Sequence, residues 1–243
     1  MDTDIIAGRN AVIEALRAGV NIDKVFIAKG EQDKTLRHIA SAARAAGIVV
    51  SDADKRKLDS LHNGVHQGVV AVAAYTEYVS VSDILNIAKE RNQKPLIVIC
   101  DEISDPHNLG AIIRSSHAAG AHGVIIPKHR SAGLTATVAK ASSGAVFHIA
   151  VAKVPNITSA IKELKAEGVW IYGAMPDGEN DLWETDFTDA AALVIGSEDI
   201  GISRLVADNC DFKVKIQMSG KLSSLNASVS AALLLYEAVR QRR

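Results

Sequence analysis

The chain has 243 residues, 48% of them hydrophobic and 4% aromatic, with 27 Lys and Arg against 28 Asp and Glu. That suits a soluble globular protein of one large or two ordinary domains and excludes a largely disordered chain. No apolar run approaches the roughly 20 residues that span a bilayer, MDTDIIAGRN is not expected to be a signal peptide, and Cys100 and Cys210 are too few for a disulfide framework, so a reducing, cytoplasmic setting is expected.

Residues 5–75 read as a small α/β unit. Apolar Val12, Ile13 and Leu16 give helical spacing over 7–17, and 24–28 reads as a short strand. A second helix over 34–46 is closed by Gly47, followed by a strand at 48–50, a helix at 54–61 and a strand at 69–74. Residues 76–94 turn polar and end at Pro95; an amphipathic helix over 81–91 fits there, and the stretch reads as the end of a linker. The expected domains are therefore 1–75 and 95–243, joined by 76–94.

From residue 96 the strand–helix rhythm returns. The apolar run Leu96 to Cys100 suggests a strand buried on both faces of a parallel sheet. Further strands are expected at 123–126, 169–173, 192–195 and 213–216, with helices near 108–119, 134–141, 156–167 and 224–241. The fold class is α/β.

In open α/β sheets ligands bind beyond the carboxyl ends of the strands. Three such loops carry polar groups. After Cys100, Asp105-Pro106 marks a turn, Asn108 is placed as a helix cap, and Arg114 follows six residues on. At about 100° per residue the two side chains converge only if Asn108 sits at the helix entry and not inside it. After Ile195, the run Gly196-Ser197-Glu198-Asp199-Ile200-Gly201 brackets two acids with two glycines; it fits neither a dinucleotide fingerprint nor a P-loop. After Ile216, Ser223 or Ser224 can cap a helix whose first N–H groups form an anion-binding end. Each loop alone reads as an ordinary cap or turn; the three together would converge on one crevice.

These segments resemble the three motifs of the SpoU (TrmH) family of S-adenosylmethionine-dependent RNA ribose 2′-O-methyltransferases. The matching stretches are Asn108 to Arg114, Ile195 to Gly201, and Ile216-Gln217-Met218 through Ser224-Leu225-Asn226-Ala227-Ser228-Val229. Gly8-Arg9-Asn10 and His66-Gln67-Gly68 look like the ribosomal-protein-like RNA-binding domain of one branch, which modifies a guanosine in large-subunit (23S) ribosomal RNA. Gln217 and Asp199 depart from the family's common proline and glycine. The resemblance implies a C-terminal parallel-sheet domain with a deep trefoil knot, a homodimer through that domain, and S-adenosylmethionine as cofactor. It places Arg114 at the ribose hydroxyl, where the family mechanism often makes it the base, although stabilising the alkoxide or clamping a phosphate is physically easier for a guanidinium. Asn108 would position the arginine or the ribose, Glu198 would orient substrate or a basic partner and is the second candidate base, and Ser224 and Asn226 would shape the site. Gly196, Ile216, Met218 and Leu225, with Ala174 and Gly201, would hold the cofactor.

Other readings stay open. The substrate could be a transfer RNA or an rRNA adenosine, or the chain could be a noncatalytic RNA-binding or ribosome-assembly protein. A nucleotide-binding oxidoreductase is weakened by the missing fingerprint. No metal is expected, since His107, His117 and His122 lack partners at ligand spacing. Cys100 and Cys210 read as inert thiols. Residues 1–75 carry 10 basic and 9 acidic groups and residues 95–243 carry 14 and 16, so RNA contact would come from local patches. Arg9 and Lys55-Arg56-Lys57 are the candidates on the small domain, with Lys128 and Arg130 nearer the crevice.

Overall fold

The computed structural model describes residues 5–30, 33–74, 76–220 and 224–243. It divides into two compact units, residues 1–77 with 133–136, and residues 78–132 with 137–243.

In the first unit the strands β1 (Ile5–Ala7), β2 (Ile22–Ala28), β3 (Val49–Ala53) and β4 (Val69–Ala73) form a mixed sheet in the order β1-β4-β2-β3. Side chains of period two face opposite ways. Val25, Ile27, Val69 and Ala71 pack with Val12, Leu36 and Ile39 from helices α1 (Arg9–Arg17) and α2 (Lys34–Ala45). Phe26 and Val70 face the other way, toward Leu58 of α3 (Lys55–Leu61).

Helix α4 (Val81–Glu90) opens the second unit. It starts at a capping box: Asp83 N donates to Ser80 Oγ at 3.1 Å and Ser80 N to Asp83 Oδ2 at 2.8 Å. Its apolar face (Val81, Ile84, Leu85) lies in the same core as Ile97, Ile99 and Ile161. The expected linker over 76–94 is thus corrected: the units divide at Glu77–Tyr78, and burial of that face makes α4 part of the second unit.

The sheet of the second unit is parallel throughout, in the order β7-β6-β5-β10-β8-β11-β9. Its strands are β5 (Leu96–Asp101), β6 (Gly123–Pro127), β7 (Ala150–Val154), β8 (Trp170–Ala174), β9 (Asn180–Asp181), β10 (Ala191–Gly196) and β11 (Phe212–Lys215). All six residues of β5 are buried, as a strand covered on both faces requires. Helix α4 and helix α7 (Ile157–Ala166) contribute to one core. Helices α5 (Pro106–Ala118) and α9 (Ala227–Gln241) pack on each other and on β5 and β10. Helices α6 (Ala136–Ala141) and α8 (Arg204–Ala207) are short. The chain steps outward from β5 to β7, then returns so that β10 lies between β5 and β8, which makes β5/β10 the topological switch point of the sheet.

Candidate active site

Helix α5 begins two residues earlier than expected. Asp105, not Asn108, is its cap: the carboxylate accepts from His107 N at 3.1 Å and from Asn108 N at 3.2 Å, with Pro106 at the first helical position. Asn108 therefore lies inside the first turn. Arg114 is then about 240° around the helix and about 9 Å further along it. Its exposed side chain makes no hydrogen bond or ion pair with the described residues.

The loop after β10 is closed by its own backbone. Ser197 N donates to Gly201 O at 3.1 Å and Gly201 N to Ser197 O at 2.8 Å. Gly201 has φ +72°, and a Cβ on Gly196 would collide with the backbone of Gly201 and Ile202. Only glycine permits that close approach. Asp101, 4% exposed at the end of β5, anchors the loop's far side by accepting from Ser203 N at 2.7 Å.

Helix α9 is also capped differently from the expectation. Asn226 is the cap; Ser224 lies two residues before it, and Ser223 lies outside the described residues. Asn226 Oδ1 accepts from Ser228 N at 2.9 Å and from Ser228 Oγ at 2.6 Å. Its Nδ2 donates to Asn108 Oδ1 at 3.0 Å and to Glu198 Oε1. One amide thus joins all three loops.

Beside it, at the carboxyl ends of β8, β10 and β11, a cavity of about 270 Å³ brings together Ala174, Gly196, Gly201, Ile216, Met218 and Leu225. Glu198, Asp199 and Ser224 also line it. Apolar side chains and backbone form its walls, and the two carboxylates add negative charge. The volume lies near the lower end for small-ligand pockets.

Of the five expected catalytic residues, Asn108 and Glu198 are each hydrogen-bonded to Asn226, and Ser224 lines the cavity. Arg114 is not in hydrogen-bond contact with any of them. Ser228 escaped the sequence reading; the signal was its place two residues after a polar residue that can cap a helix.

The expected RNA-binding residues are placed differently. Arg9 braces the loop before β4: its backbone N donates to Gln67 Oε1 at 3.1 Å, its Nε to Gln67 O at 3.0 Å, and its Nη1 pairs with Asp33 at 2.8 Å. These bonds hold Gln67 at φ +51°. His66 Nδ1 accepts from Gly68 N at 3.1 Å, so the neutral ring's Nε2 donates to Asp59. Arg130, 78% exposed at its side chain, pairs with Glu102 at 2.6 Å. Lys128 N donates to Val154 O at 2.8 Å.

Among the described residues no three His, Cys, Asp or Glu side chains form a metal-binding group, and no helix is long and apolar enough to cross a membrane. Burial pushes both the Cys100 and the Cys210 thiols up to about 12, which suppresses thiolate chemistry.

Comparison with known proteins gives a consistent picture. Residues 95–236 match the family model described as SpoU rRNA Methylase family, and residues 5–79 match one described as RNA 2′-O ribose methyltransferase substrate binding. A protein named as a TrmH family tRNA/rRNA methyltransferase, YacO of Bacillus subtilis, is 44% identical over 98% of this chain and 96% of its own length. Among solved structures, the SpoU methyltransferase AviRb from Streptomyces viridochromogenes in complex with AdoMet is 29% identical, with a TM-score of 0.62 over 98% of this chain and 90% of its own. The TrmH/SpoU tRNA modifying enzyme of A. aeolicus is 32% identical, with a TM-score of 0.57, and covers 62% of this chain and 76% of its own.

Proposed function

This chain belongs to the SpoU rRNA methylase family, and from that premise we propose that it transfers the methyl group of S-adenosylmethionine to the ribose 2′-hydroxyl of a guanosine in large-subunit (23S) ribosomal RNA. At the coarser level it is an S-adenosylmethionine-dependent RNA methyltransferase of the TrmH/SpoU type. The observation that carries the reading is the Asn226 amide, which ties the three motif loops together beside the cavity that Glu198, Leu225 and Ala227 line. The cavity fits the cofactor in kind. Its walls suit an adenosine, backbone groups from 195 to 201 can read adenine edges, and Glu198 and Asp199 oppose a sulfonium in charge.

When bound, the cofactor supplies an electrophilic methyl group. The protein's task is to hold the hydroxyl in line with it, and positioning supplies much of the acceleration. The hydroxyl is a weak acid, so its proton must be accepted or the developing alkoxide stabilised. Glu198 suits the first role, with one oxygen fixed by Asn226 and the other without a bond to the described residues. Arg114 suits the second, because a guanidinium stays protonated and stabilises an alkoxide or clamps a phosphate. Asn108 positions the ribose, and Ser224 shapes the entrance.

The small unit is the RNA-binding domain in this reading. Lys55 and Val65 border an open cavity of about 590 Å³ with the Arg9–Gln67 brace, and Val65 is 83% exposed. The substrate-binding match over 5–79 supports an RNA partner, and the tRNA modifying enzyme's coverage of only 62% of this chain is in keeping with a substrate other than its own. A C-terminal trefoil knot, a rare topology, belongs to the same reading through the family match over 95–236. Exposed Val229 and Tyr236, seven residues apart on α9, support a homodimer through this unit.

Incubation with labelled S-adenosylmethionine and unmodified large-subunit RNA, followed by mapping of ribose methylation, tests the proposal. A single methylated guanosine is expected. Methylation of tRNA alone would move the substrate, and transfer to no RNA would favour a binding protein.

A further inference from the structure

The bonds around Asn226 have a direction, and it is set by a group that cannot reverse. The Ser228 backbone N–H can only donate, so the Asn226 atom facing it at 2.9 Å must be the oxygen. The Ser228 hydroxyl adds a second bond to the same oxygen at 2.6 Å. Asn226 therefore presents its Nδ2 to the other two loops. Its two hydrogens go to Glu198 Oε1 and Asn108 Oδ1. Asn108 must then turn its oxygen toward Asn226, and its backbone is held by the Asp105 cap at 3.2 Å. What Asn108 has left is its own Nδ2, which bonds to none of the described residues.

We infer that the backbone N–H at position 228 sets this polarity, with the Ser228 hydroxyl as a positioning group that holds the Asn226 oxygen in place, and that Asn108 consequently meets the RNA as a hydrogen-bond donor to a ribose or phosphate oxygen. The inference rests on the methyltransferase reading and deepens it: sequence alone leaves an asparagine free to donate or accept. It also fixes the carboxylate next door. Glu198 receives a hydrogen on one oxygen and keeps the other free to accept from the ribose hydroxyl.

The decisive variant is Asn108→Asp in the full-length chain. It is isosteric and still accepts from Asn226, but it replaces the outward donor by an acceptor and adds a negative charge. Affinities are therefore compared over a range of salt concentrations, where the charge is screened and the lost donor is not. With an unmodified large-subunit RNA transcript as probe, RNA affinity should fall at least tenfold and KM for RNA rise to match. S-adenosylmethionine affinity by calorimetry should stay within twofold of wild type. Asn108→Ala, which removes the group without reversing it, should bind RNA better than Asn108→Asp. Ser228→Ala keeps the backbone donor and loses one bond, so kcat should drop three- to tenfold at unchanged KM for S-adenosylmethionine, with Ser228→Thr restoring it.

Wild-type RNA affinity in Asn108→Asp would overturn the donor assignment, and Ser228→Thr behaving like Ser228→Ala would overturn the role of the hydroxyl. RNA affinity is read separately from methyl transfer. A wild-type chain that binds RNA and transfers nothing overturns the methyltransferase reading, while Asn108→Asp still decides this one. A wild type that binds no RNA overturns both.

Discussion

The two ends of the seven-stranded sheet use polar groups in opposite ways. At the carboxyl ends, the Asn226 network leaves groups over: Asn108 Nδ2 and the second Glu198 oxygen bond to none of the described residues, and further along α5 neither does the Arg114 guanidinium. At the amino ends, the side chains that close α9 and begin β5 are paired. Arg242 donates to the carbonyls of Phe187 at 2.8 Å, Lys94 at 3.1 Å and Pro95 at 3.2 Å, and also to Asp189 O. Gln241 bonds Phe187 N at 2.7 Å and Thr185 O at 2.8 Å. His122, 3% exposed, accepts from Leu96 N at 3.0 Å through Nδ1, so Nε2 donates to Gln93. One network holds the end of α9 to the start of the sheet, while the other keeps polar atoms without a partner among the described residues. Buried polar groups are satisfied as a rule, and spare donors gather where chemistry is done.

The contrast can be broken at either end. Arg114→Ala should give the largest effect, a loss of methyl transfer on the order of 10²- to 10³-fold, with S-adenosylmethionine affinity and melting temperature near wild type. Single-turnover transfer beside calorimetry checks it, and turnover within a few-fold of wild type would remove Arg114 from the chemistry. Gly196→Ala should follow. Its Cβ meets the backbone of Gly201 and Ile202, so cofactor affinity should fall at least about tenfold, the equivalent of about 1.4 kcal/mol.

At the opposite end the effects should be on stability alone. Arg242→Ala strands several carbonyls and should cost about 2–3 kcal/mol by denaturant unfolding, with kcat of the folded fraction unchanged. A drop in kcat without loss of stability would undo the division between the two ends. The smallest effect is on pH dependence. Burial holds the His122 pKa below its usual 6.5, so the unfolded chain takes up a proton that the folded one refuses. The stabilisation is full above about pH 6.5 and is lost as pH falls through the folded value, with a slope of up to about 1.4 kcal/mol per pH unit. His122→Gln should flatten the melting-temperature profile in that window; an unchanged profile would assign the dependence to other groups.

Much of this was legible in the chain itself because it is local. Apolar runs and 3.6-residue spacing marked β5, β6, β8, β10 and the long helices within a few residues. The strands β1, β7 and β9 carry too little periodic signal to be read from the chain, because all three are short edge strands. Both helix caps were misplaced: Asp105 and Asn226 do the work expected of Asn108 and Ser223 or Ser224. A cap is chosen by backbone geometry, and polar residues a turn apart compete for it. The amphipathic stretch at 81–90 was visible, but whether it joined two domains or belonged to one depended on what buried it.

By itself the sequence determined the α/β class, the three loops and the glycines that let the middle one fold tightly, since these follow from composition and spacing within a few tens of residues. Only the tertiary structure decided that Asn226 meets Asn108, 118 residues away, and Glu198, 28 residues away, and in which direction those bonds run. The reason is physical. A side-chain amide can donate or accept until a partner that can only donate, here the Ser228 N–H, is brought against it.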